Sequence, residues 1–342
     1  MRRNHVHQGL RLTERVRGRK GARAMTTPLA IFRALADPTR LRILALLRRM
    51  ELSVGELAQV LGQSQPRVSR HVRILADAGL TDRRREGSWV FLGLGPAATA
   101  PLLATIDGAH DESAERWEVA DAARLDAVHA DRAAAAQAYF DAHAAEWDAI
   151  RSLHVAEDEV ESAIQTALGD APIGRLVDIG TGTGRMIELL GPGTTSATGI
   201  DRSPEMLRFA RARMGRAGIE RVDLRQGDMY ALPLDDGAAD TIVLHQVLHY
   251  AQAPAAAIAE AARLIGPDGR LLIADFAAHD REDLRDREGH ARLGFDDDQM
   301  AHWFAAAGLE PARTIELAGG ELTVKLWLAR RSAESFRLRA VR

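Results

Sequence analysis

The stretch VDIGTGTGR, residues 177–185, constrains the fold of this chain more than any other. It is the end of an apolar segment typical of a buried parallel strand, followed by glycines at positions 180, 182 and 184 and by a helix that begins near Met186. In open α/β sheets, a glycine-containing turn from a strand into a helix is where nucleotides bind. The sequence therefore predicts a nucleotide site at this turn.

The spacing of the glycines narrows the kind of nucleotide. The register is G-x-G-x-G, which differs from the G-x-G-x-x-G fingerprint of dinucleotide sites. The turn contains no lysine, so it is not a P-loop that holds phosphates. Glycine-rich turns also occur without any ligand, and the turn alone leaves that alternative open.

Two carboxylates downstream favour a ligand that contains ribose and a base. ATGID ends in Asp201, about twenty residues after the turn, where an acid accepts hydrogen bonds from ribose hydroxyls. VDLRQGDMY carries Asp228, placed to accept from an adenine amino group, with Met229 beside the ring. The segments DTIVLHQVLHY and GRLLIADF continue the alternation of strands and helices, so the pattern predicts a doubly wound α/β sheet.

The front of the chain predicts a different domain. Helical periodicity begins after Thr27, Asp37-Pro38 starts a second helix, and two short helices are joined by about three residues, as in a helix-turn-helix. TDRRREGSWVFLGL then predicts a β-hairpin with a basic rim. On this reading the DNA-binding side chains are Gln65, Arg67, Ser69, Arg70 and His71 of the second short helix, and Arg83, Arg84 and Arg85 of the hairpin.

Charge separates the two parts. Residues 1–100 hold 19 basic side chains against 7 acidic ones, although the whole chain has a net charge of −3. A basic front end on an acidic body predicts that only the front end meets a polyanion, here double-stranded DNA. The alternative is that these arginines are solvated side chains on exposed helix faces and do not bind a polyanion. Residues 1–25 are expected to be a disordered basic tail, and Met25 is an alternative start of the protein.

The composition excludes several classes of site. The chain has no cysteine, so disulfides, thiolate metal sites and cysteine nucleophiles are excluded. No apolar run reaches the roughly 18 residues of a membrane helix, so the expectation is a cytoplasmic protein with no membrane partner. His245 and His249 stand at i, i+4, but no third metal ligand is evident, and no metal is expected.

Residues 26–110 are expected to form one domain, and roughly residues 28–95 of it resemble the ArsR family of winged-helix regulators, on ALADPTRLRILALL, SQPRVSRHVRIL and the RRREGSWVFL hairpin. The resemblance implies DNA binding and a homodimer formed through this domain. Metal sensing is doubted, because ELSVGELA has no cysteine where the family's metal sensors place it. Residues 111–138 are expected to be a helical linker, and a solvated spacer is the alternative. Tyr139, Phe140 and Trp147 argue that the helix lies over the next domain.

Residues 139–332 resemble class I S-adenosylmethionine-dependent methyltransferases, on VDIGTGTGR, GIDRSPEML, GDMYALPLDDGAADTIVLHQVLHY and LIGPDGRLLIADF, and 333–342 form a tail. The fold class is thus α/β: a mostly α winged helix-turn-helix domain followed by a doubly wound, Rossmann-like methyltransferase domain. The resemblance implies S-adenosylmethionine as the cofactor and the following cofactor-binding residues. They are Asp178, Gly180, Gly182 and Gly184 at the methionine part, Asp201 at the ribose, Asp228 and Met229 at the adenine, and His245 near the sulfonium.

Candidate catalytic groups at the strand ends are His245 and His249, and the neighbouring polar side chains are Gln246, Tyr250, Asp275 and His279. His290 and Arg292 are expected to form a lid. A base is needed only if the acceptor must lose a proton.

The motifs leave three functions to compare. The first is a methyltransferase for a small-molecule acceptor, and the second is a non-catalytic regulator that senses S-adenosylmethionine or S-adenosylhomocysteine. DNA methylation is disfavoured, because LHQVLHY lacks the Asn-Pro-Pro-Tyr type motif for a flipped base. Arsenic methylation is disfavoured by the lack of cysteine. The first function, combined with DNA binding, is preferred.

Overall fold

A computed structural model describes residues 27–86, 89–107, 112–148, 156–219, 221–318 and 321–331. The two tails predicted at 1–25 and 333–342 lie outside these residues, as does the turn of the predicted hairpin at 87–88. None of the helices in the described ranges has the length and the apolar composition that a membrane span requires.

The N-terminal part is a winged helix-turn-helix. Its helices are α1 (Pro28–Leu35), α2 (Pro38–Arg49), α3 (Val54–Leu61) and α4 (Gln65–Asp77), and its strands are β1 (Leu52–Ser53), β2 (Thr81–Glu86) and β3 (Trp89–Leu94). The strands form an antiparallel sheet in the order β1-β3-β2. The hairpin β2–β3 is the predicted wing.

Local sequence explains where these helices begin and end. The Asp37 side chain accepts from the Arg40 amide at 3.1 Å in front of Pro38, and Ser53 and Glu56 form a reciprocal capping box on α3. Gly62 ends α3 with a left-handed φ of 63°. Ser64 stands at the N-cap of α4 but makes no side-chain capping bond.

A long helix joins the two parts of the chain. After the short α5 (Ala100–Asp107), α6 (Glu112–His143) runs for 32 residues, about 48 Å. Its Leu125 is 2% exposed in the core of the winged-helix part, and Asp121 accepts two hydrogen bonds from Arg42 at 2.6 and 2.7 Å. Asp121 and Leu125, both within the linker predicted at 111–138, therefore contact the winged-helix part.

The C-terminal part is an α/β domain around a seven-stranded sheet of order β6-β5-β4-β7-β8-β10-β9. Strands β4 to β8 are mutually parallel, and β10 runs antiparallel to both β8 and β9. The strands are β4 (Gly174–Ile179), β5 (Thr194–Asp201), β6 (Val222–Gln226), β7 (Ala239–His245), β8 (Ile265–Phe276), β9 (Glu310–Ala318) and β10 (Thr323–Arg330). The helices are α7 (Glu157–Leu168), α8 (Arg185–Leu190), α9 (Pro204–Ala217), α10 (Pro254–Leu264), α11 (Asp283–Arg287) and α12 (Asp297–Ala306).

Helices cover both faces of this sheet, as the doubly wound prediction requires. One apolar cluster packs α10 and α12 against the sheet, and a second packs α7 and α8 against it. The central strands β7 and β8 are buried along nearly their whole length, which is typical of parallel strands covered on two sides. The carboxyl ends of β4, β5 and β7 therefore meet at one edge, where ligands bind in open α/β sheets.

Candidate functional site

A cavity of about 360 Å³ opens at this edge of the sheet, within the size range of small-molecule sites. The strand ends and the turns that follow them form its floor, and α6 and the segment after it form its roof. The lining residues used below are Asp126, Phe140, Trp147, Asp178, Gly180, Gly182, Asp201, Asp228, Met229, His245, Gln246, Tyr250 and Gln252.

The glycine turn is shaped by positions that no side chain could occupy. Gly180 has φ of 71°, and a Cβ there would lie 2.4 Å from Val247. The amides of Gly180 and Thr181 both donate to the carbonyl of Ile200, which ties the turn to the next strand. Gly182 has φ of 51°, which residues with a side chain rarely adopt, and a Cβ there would lie 3.5 Å from the Trp147 indole. The glycines leave room for a ligand to approach the backbone closely.

Asp201 stands at the end of β5 and faces the glycine turn. Its two carboxylate oxygens accept from the amides of Gly182 and Ser203, each at 2.8 Å. Burial raises the pKa of the Asp201 carboxyl, and these backbone donors partly offset the rise. Because each carboxylate oxygen can accept more than one hydrogen bond, Asp201 retains acceptor capacity toward the cavity that it lines.

The next strand contributes the neighbouring wall. Asp228 follows β6, and its side chain accepts from the Tyr230 amide at 3.1 Å, which fixes the loop that carries Met229 into the lining. The Tyr230 hydroxyl accepts from the Ala253 amide. Burial raises the pKa of Tyr230, so this hydroxyl stays protonated at neutral pH.

The floor is the end of β7. His245 is 8% exposed and lines the cavity. Gln246, the next residue, has a left-handed φ of 49°, which is rare for a residue with a side chain. Its amide donates to the Ala274 carbonyl at 2.8 Å and holds this strained conformation in place. Strain of this kind is concentrated at functional sites.

Aromatic rings close the roof. The Phe140 ring lies 5.3 Å from Trp147 and 4.7 Å from Tyr250, edge to face in both cases. Burial raises the pKa of Tyr250 well above its usual value. The roof is bonded to the loops that it covers, because Asp141 accepts from the Ser203 hydroxyl at 2.6 Å and Asp148 accepts from the Thr183 hydroxyl at 2.7 Å.

His249 lies behind the cavity and does not line it. Its ring Nδ1 is 2.7 Å from Asp275 Oδ1, and the other oxygen of Asp275 accepts from the amides of Leu248 and His249. Burial would raise the pKa of Asp275, but His249 and these donors lower it overall. The pair thus anchors the short 3-10 turn Leu248–Tyr250 that brings Tyr250 into the roof.

The predicted lid packs on this pair. His290 is 3% exposed and lies 4.4 Å from the His249 ring, centroid to centroid. Burial, together with the neighbouring His249, lowers the pKa of His290 to about 4, so the ring is neutral at pH 7. Arg292, the other predicted lid residue, is 1% exposed.

The recognition helix presents the predicted basic side chains. Val68, Val72 and Leu75 of α4 are fully buried, and Gln65, Arg67 and Arg70 on the other face are exposed. Ser69 and His71 are half-buried, and His71 lies 3.6 Å from Asp37. Arg73, exposed on the same helix, was not among the predicted residues.

The wing places its three arginines on two faces. Arg83 and Arg85 are exposed, whereas Arg84 points inward and pairs with Glu51 at 2.8 Å. Alternation along a strand explains the difference. The assignment of Arg84 to DNA binding remains a prediction, and an intramolecular pair competes with it.

Most of the predicted cofactor residues line the one cavity. Asp178, Gly180, Gly182, Asp201, Asp228, Met229 and His245 do so. Gly184 does not: its φ is 85°, and a Cβ there would lie 3.1 Å from Ala210, so this glycine permits close packing of α8 on α9. Lining residues absent from the predicted cofactor-binding set include Asp126, Phe140, Trp147, Met206, Tyr250 and Gln252.

The shape of the cavity and its hydrogen-bond acceptors fit S-adenosylmethionine. Glycines without side chains leave space along the turn, and the carboxylates of Asp178, Asp201 and Asp228 can accept from the ammonium, hydroxyl and amino groups of the cofactor. Aromatic rings over the site suit a cationic sulfonium.

Two protein families match separate parts of the chain. Residues 37–82 match the arsR family of bacterial regulatory proteins, and residues 177–273 match a methyltransferase domain. The arsenic resistance transcriptional regulator ArsR1 of Pseudomonas putida is 41% identical over 104 residues, which cover 30% of this chain and 80% of that protein. The arsenical resistance operon repressor of Escherichia coli is 43% identical over 83 residues, 24% of this chain and 71% of that protein.

The C-terminal part has its own relatives. The uncharacterized methyltransferase YcgJ of Bacillus subtilis is 32% identical over 104 residues, 30% of this chain and 41% of that protein. The chain thus spans less than half the length of this relative. The matches confirm the two-part organisation that the sequence motifs predict. The chain belongs to the arsR family of bacterial regulatory proteins through its N-terminal part, and it joins that DNA-binding domain to an S-adenosylmethionine-dependent methyltransferase domain.

Proposed function

We propose that the C-terminal domain transfers a methyl group from S-adenosylmethionine to a small-molecule acceptor, and that the N-terminal domain holds this activity on duplex DNA. The observation that carries the proposal is the single cavity into which the glycine turn, Asp201, Asp228 and His245 converge. Its enclosure by Phe140 and Trp147 of the roof supports a small acceptor rather than an extended polymer.

Each residue of the predicted cofactor site named here has a proposed role. Asp201 accepts from the ribose hydroxyls, and Asp228 with Met229 binds the adenine. Asp178, Gly180 and Gly182 border the methionine part. Gly184 is proposed to act indirectly, by fixing the start of α8.

Methyl transfer requires little of the protein beyond alignment of the acceptor with the methyl group. When bound, S-adenosylmethionine supplies an activated methyl group with a good leaving group. The chain's own residues hold the acceptor in line and exclude water, which can account for most of the rate. His245 is the proposed base for an acceptor that must lose a proton, and His249 is proposed to act through the position of Tyr250.

The test is methyl transfer from labelled S-adenosylmethionine by the full chain, with a panel of phenol, amine and carbon-acid acceptors. We expect turnover with one class and a loss of roughly 10²- to 10⁴-fold in His245→Asn when that acceptor carries an acidic proton, which is the usual contribution of a general base. His302→Asn, on α12 outside the cavity lining, is the matched control. Absence of turnover across the panel would contradict the catalytic proposal.

A second candidate function, ligand sensing without catalysis, is favoured by α6. This one helix carries Leu125 in the winged-helix core and Phe140 in the cavity roof. Sensing requires that S-adenosylmethionine and S-adenosylhomocysteine shift DNA affinity by different amounts. That difference, without turnover, separates the sensor from the enzyme.

A homodimer is proposed to form through the winged-helix part. Leu29 and Phe32, three residues apart on α1, are exposed by 57% and 67%, and adjoining exposed apolar side chains mark interaction surfaces. Val119 of α6 is exposed by 73%. We expect the native chain to sediment as a dimer and Phe32→Ser to sediment as a monomer. Phe32→Leu, which keeps an apolar side chain at the same exposed position, is the control change and should remain a dimer. A native monomer in sedimentation velocity would refute the dimer.

The same function implies a cytoplasmic location, because a bacterial regulator must reach DNA.

A further inference from the structure

Arg292 connects the edge of the cofactor cavity to the base of the DNA-binding wing. It follows the α11 segment of the methyltransferase domain, yet its guanidinium is almost fully buried, at 1% exposure. A buried guanidinium is stable only where its charge and its donors are compensated. Its partners come from both domains.

On the methyltransferase side, Arg292 is attached to the roof turn, the 3-10 turn Leu248–Tyr250 whose Tyr250 packs against Phe140 of the roof. The amides of Ala291 and Arg292 both donate to the carbonyl of His249, at 3.0 and 2.9 Å. The Arg292 guanidinium donates to the carbonyl of Gln252. Tyr250 and Gln252, which lie within this attached segment, both line the cavity. A shift of the roof turn therefore moves Arg292.

On the winged-helix side, Arg292 is held by a carboxylate and a ring. Its guanidinium lies 3.3 Å from Glu51 and 4.0 Å from the centroid of the Phe91 ring. Glu51 directly precedes β1, and Phe91 is in the wing strand β3. Both the charge-assisted contact with Glu51 and the cation–π contact with Phe91 weaken when the Arg292 guanidinium moves away from them.

The same carboxylate also holds the wing arginine. Arg84 pairs with Glu51 at 2.8 Å, and its guanidinium lies 5.5 Å from the centroid of the Phe91 ring. Arg84 is opposite Phe91 in the β2–β3 ladder, between the exposed Arg83 and Arg85. Glu51 thus joins the strand that offers basic side chains to DNA with the segment that borders the cofactor.

We propose that the junction of Arg292, Glu51, Phe91 and Arg84 couples the cofactor cavity to the DNA-binding wing, so that binding at one changes affinity at the other. The proposal rests on cofactor binding at the proposed site but not on turnover. Linkage requires the effect to be reciprocal.

The test is the Kd of S-adenosylhomocysteine for the full chain, by calorimetry, with and without a saturating duplex of the sequence upstream of its own gene. We expect the duplex to change this Kd by about fivefold or more, the usual range of coupling between sites. In Glu51→Gln the change should fall to less than about twofold, with the Kd in the absence of DNA unaltered. Glu51 lies outside the cavity lining.

Asp77→Asn is the matched control, because it removes an acidic charge from the same domain at the exposed end of α4. Arg292→Lys is the second variant: it keeps the charge but loses the planar contact with Phe91, and it should also reduce the effect of DNA. A native chain without coupling, or a Glu51→Gln chain that retains it, would overturn the proposal.

Hydrogen exchange provides a readout that needs no cofactor. Binding of the same duplex should change exchange at the Ala291 and Arg292 amides in the native chain and leave it unchanged in Glu51→Gln. If S-adenosylhomocysteine does not bind, the proposed function fails while this measurement still decides the coupling. If the duplex changes exchange at these two amides equally in the native and variant chains, the coupling proposal is rejected.

Discussion

Asp201→Asn is expected to weaken binding of S-adenosylhomocysteine by about 3 kcal/mol, roughly two orders of magnitude in Kd. The native carboxylate already accepts from Gly182 and Ser203 at 2.8 Å and is proposed to accept from two ribose hydroxyls as well. An amide offers one acceptor oxygen and turns two donor hydrogens toward groups that are themselves donors. The loss should appear in calorimetry of the purified chain.

The control is Asp223→Asn, on the neighbouring strand, where the carboxylate is exposed and pairs with Arg225. This change should leave the Kd within about twofold, as expected of a surface ion pair of little energetic value. Circular dichroism and thermal melting of both variants separate loss of binding from loss of fold. An Asp201→Asn chain with native affinity would remove Asp201 from the ribose site.

The same carboxyl predicts how binding depends on pH. Burial raises the pKa of Asp201, and the ionised form is the one that accepts from two hydroxyls. Acidification should therefore weaken binding at a higher pH than for an ordinary aspartate. The Asn variant lacks this component, so the pH profiles of native and variant chains should converge at low pH.

Motif spacing predicts the two folds because each motif is local. The apolar stripe of Val68, Val72 and Leu75 defines the buried face of α4, and all three are fully buried. Ser203, directly before Pro204, is the N-cap of α9, and its hydroxyl accepts from the Met206 amide. Such signals involve residues within one helical turn, and the sequence displays them directly.

The sequence motifs do not predict the contacts between segments that are distant in the chain. The spacing of the glycines groups Gly184 with the ligand, but its environment is set by Ala210 on another helix. The three wing arginines look equivalent in the sequence, yet Glu51 and Phe91 hold Arg84 inward. Likewise, the pair of His249 with Asp275 brings together residues on separate elements. Sequence periodicity does not record which segments pack together.

The roof is the largest part of the site that the motifs miss. Phe140 and Trp147 were expected to lie over the methyltransferase domain, but nothing in their spacing assigns them to the cavity. Their position depends on Asp141 and Asp148, which accept from the hydroxyls of Ser203 and Thr183. The sequence signal for this arrangement is an alanine-rich helix, with Asp141 in its last turn and Asp148 just beyond its end.

Replacing both Arg67 and Arg70 by alanine is expected to weaken binding to the upstream duplex by roughly 2 to 6 kcal/mol, from about 1–3 kcal/mol for each contact. Both side chains are exposed on the N-terminal half of α4, three residues apart and on the same face. This half of a recognition helix is the part that enters the major groove. Fluorescence anisotropy at several salt concentrations measures the loss.

The salt dependence distinguishes two roles for these arginines. A contact to phosphate releases counterions, so its removal lowers the slope of log K against log salt by about 0.9. A contact to a base edge leaves the slope nearly unchanged and relaxes sequence preference instead. Single variants at Arg67 and Arg70 therefore assign each side chain separately.

The matched control is Arg208→Ala with Arg216→Ala, two exposed arginines of α9 in the methyltransferase domain. It removes the same charge from the chain, so any loss that it shares with the α4 variant is a non-specific effect of net charge. Arg84→Ala should weaken binding less than Arg83→Ala or Arg85→Ala, because Arg84 is already paired with Glu51. Equal losses from the α4 and α9 pairs would contradict the assignment of α4 as the recognition helix.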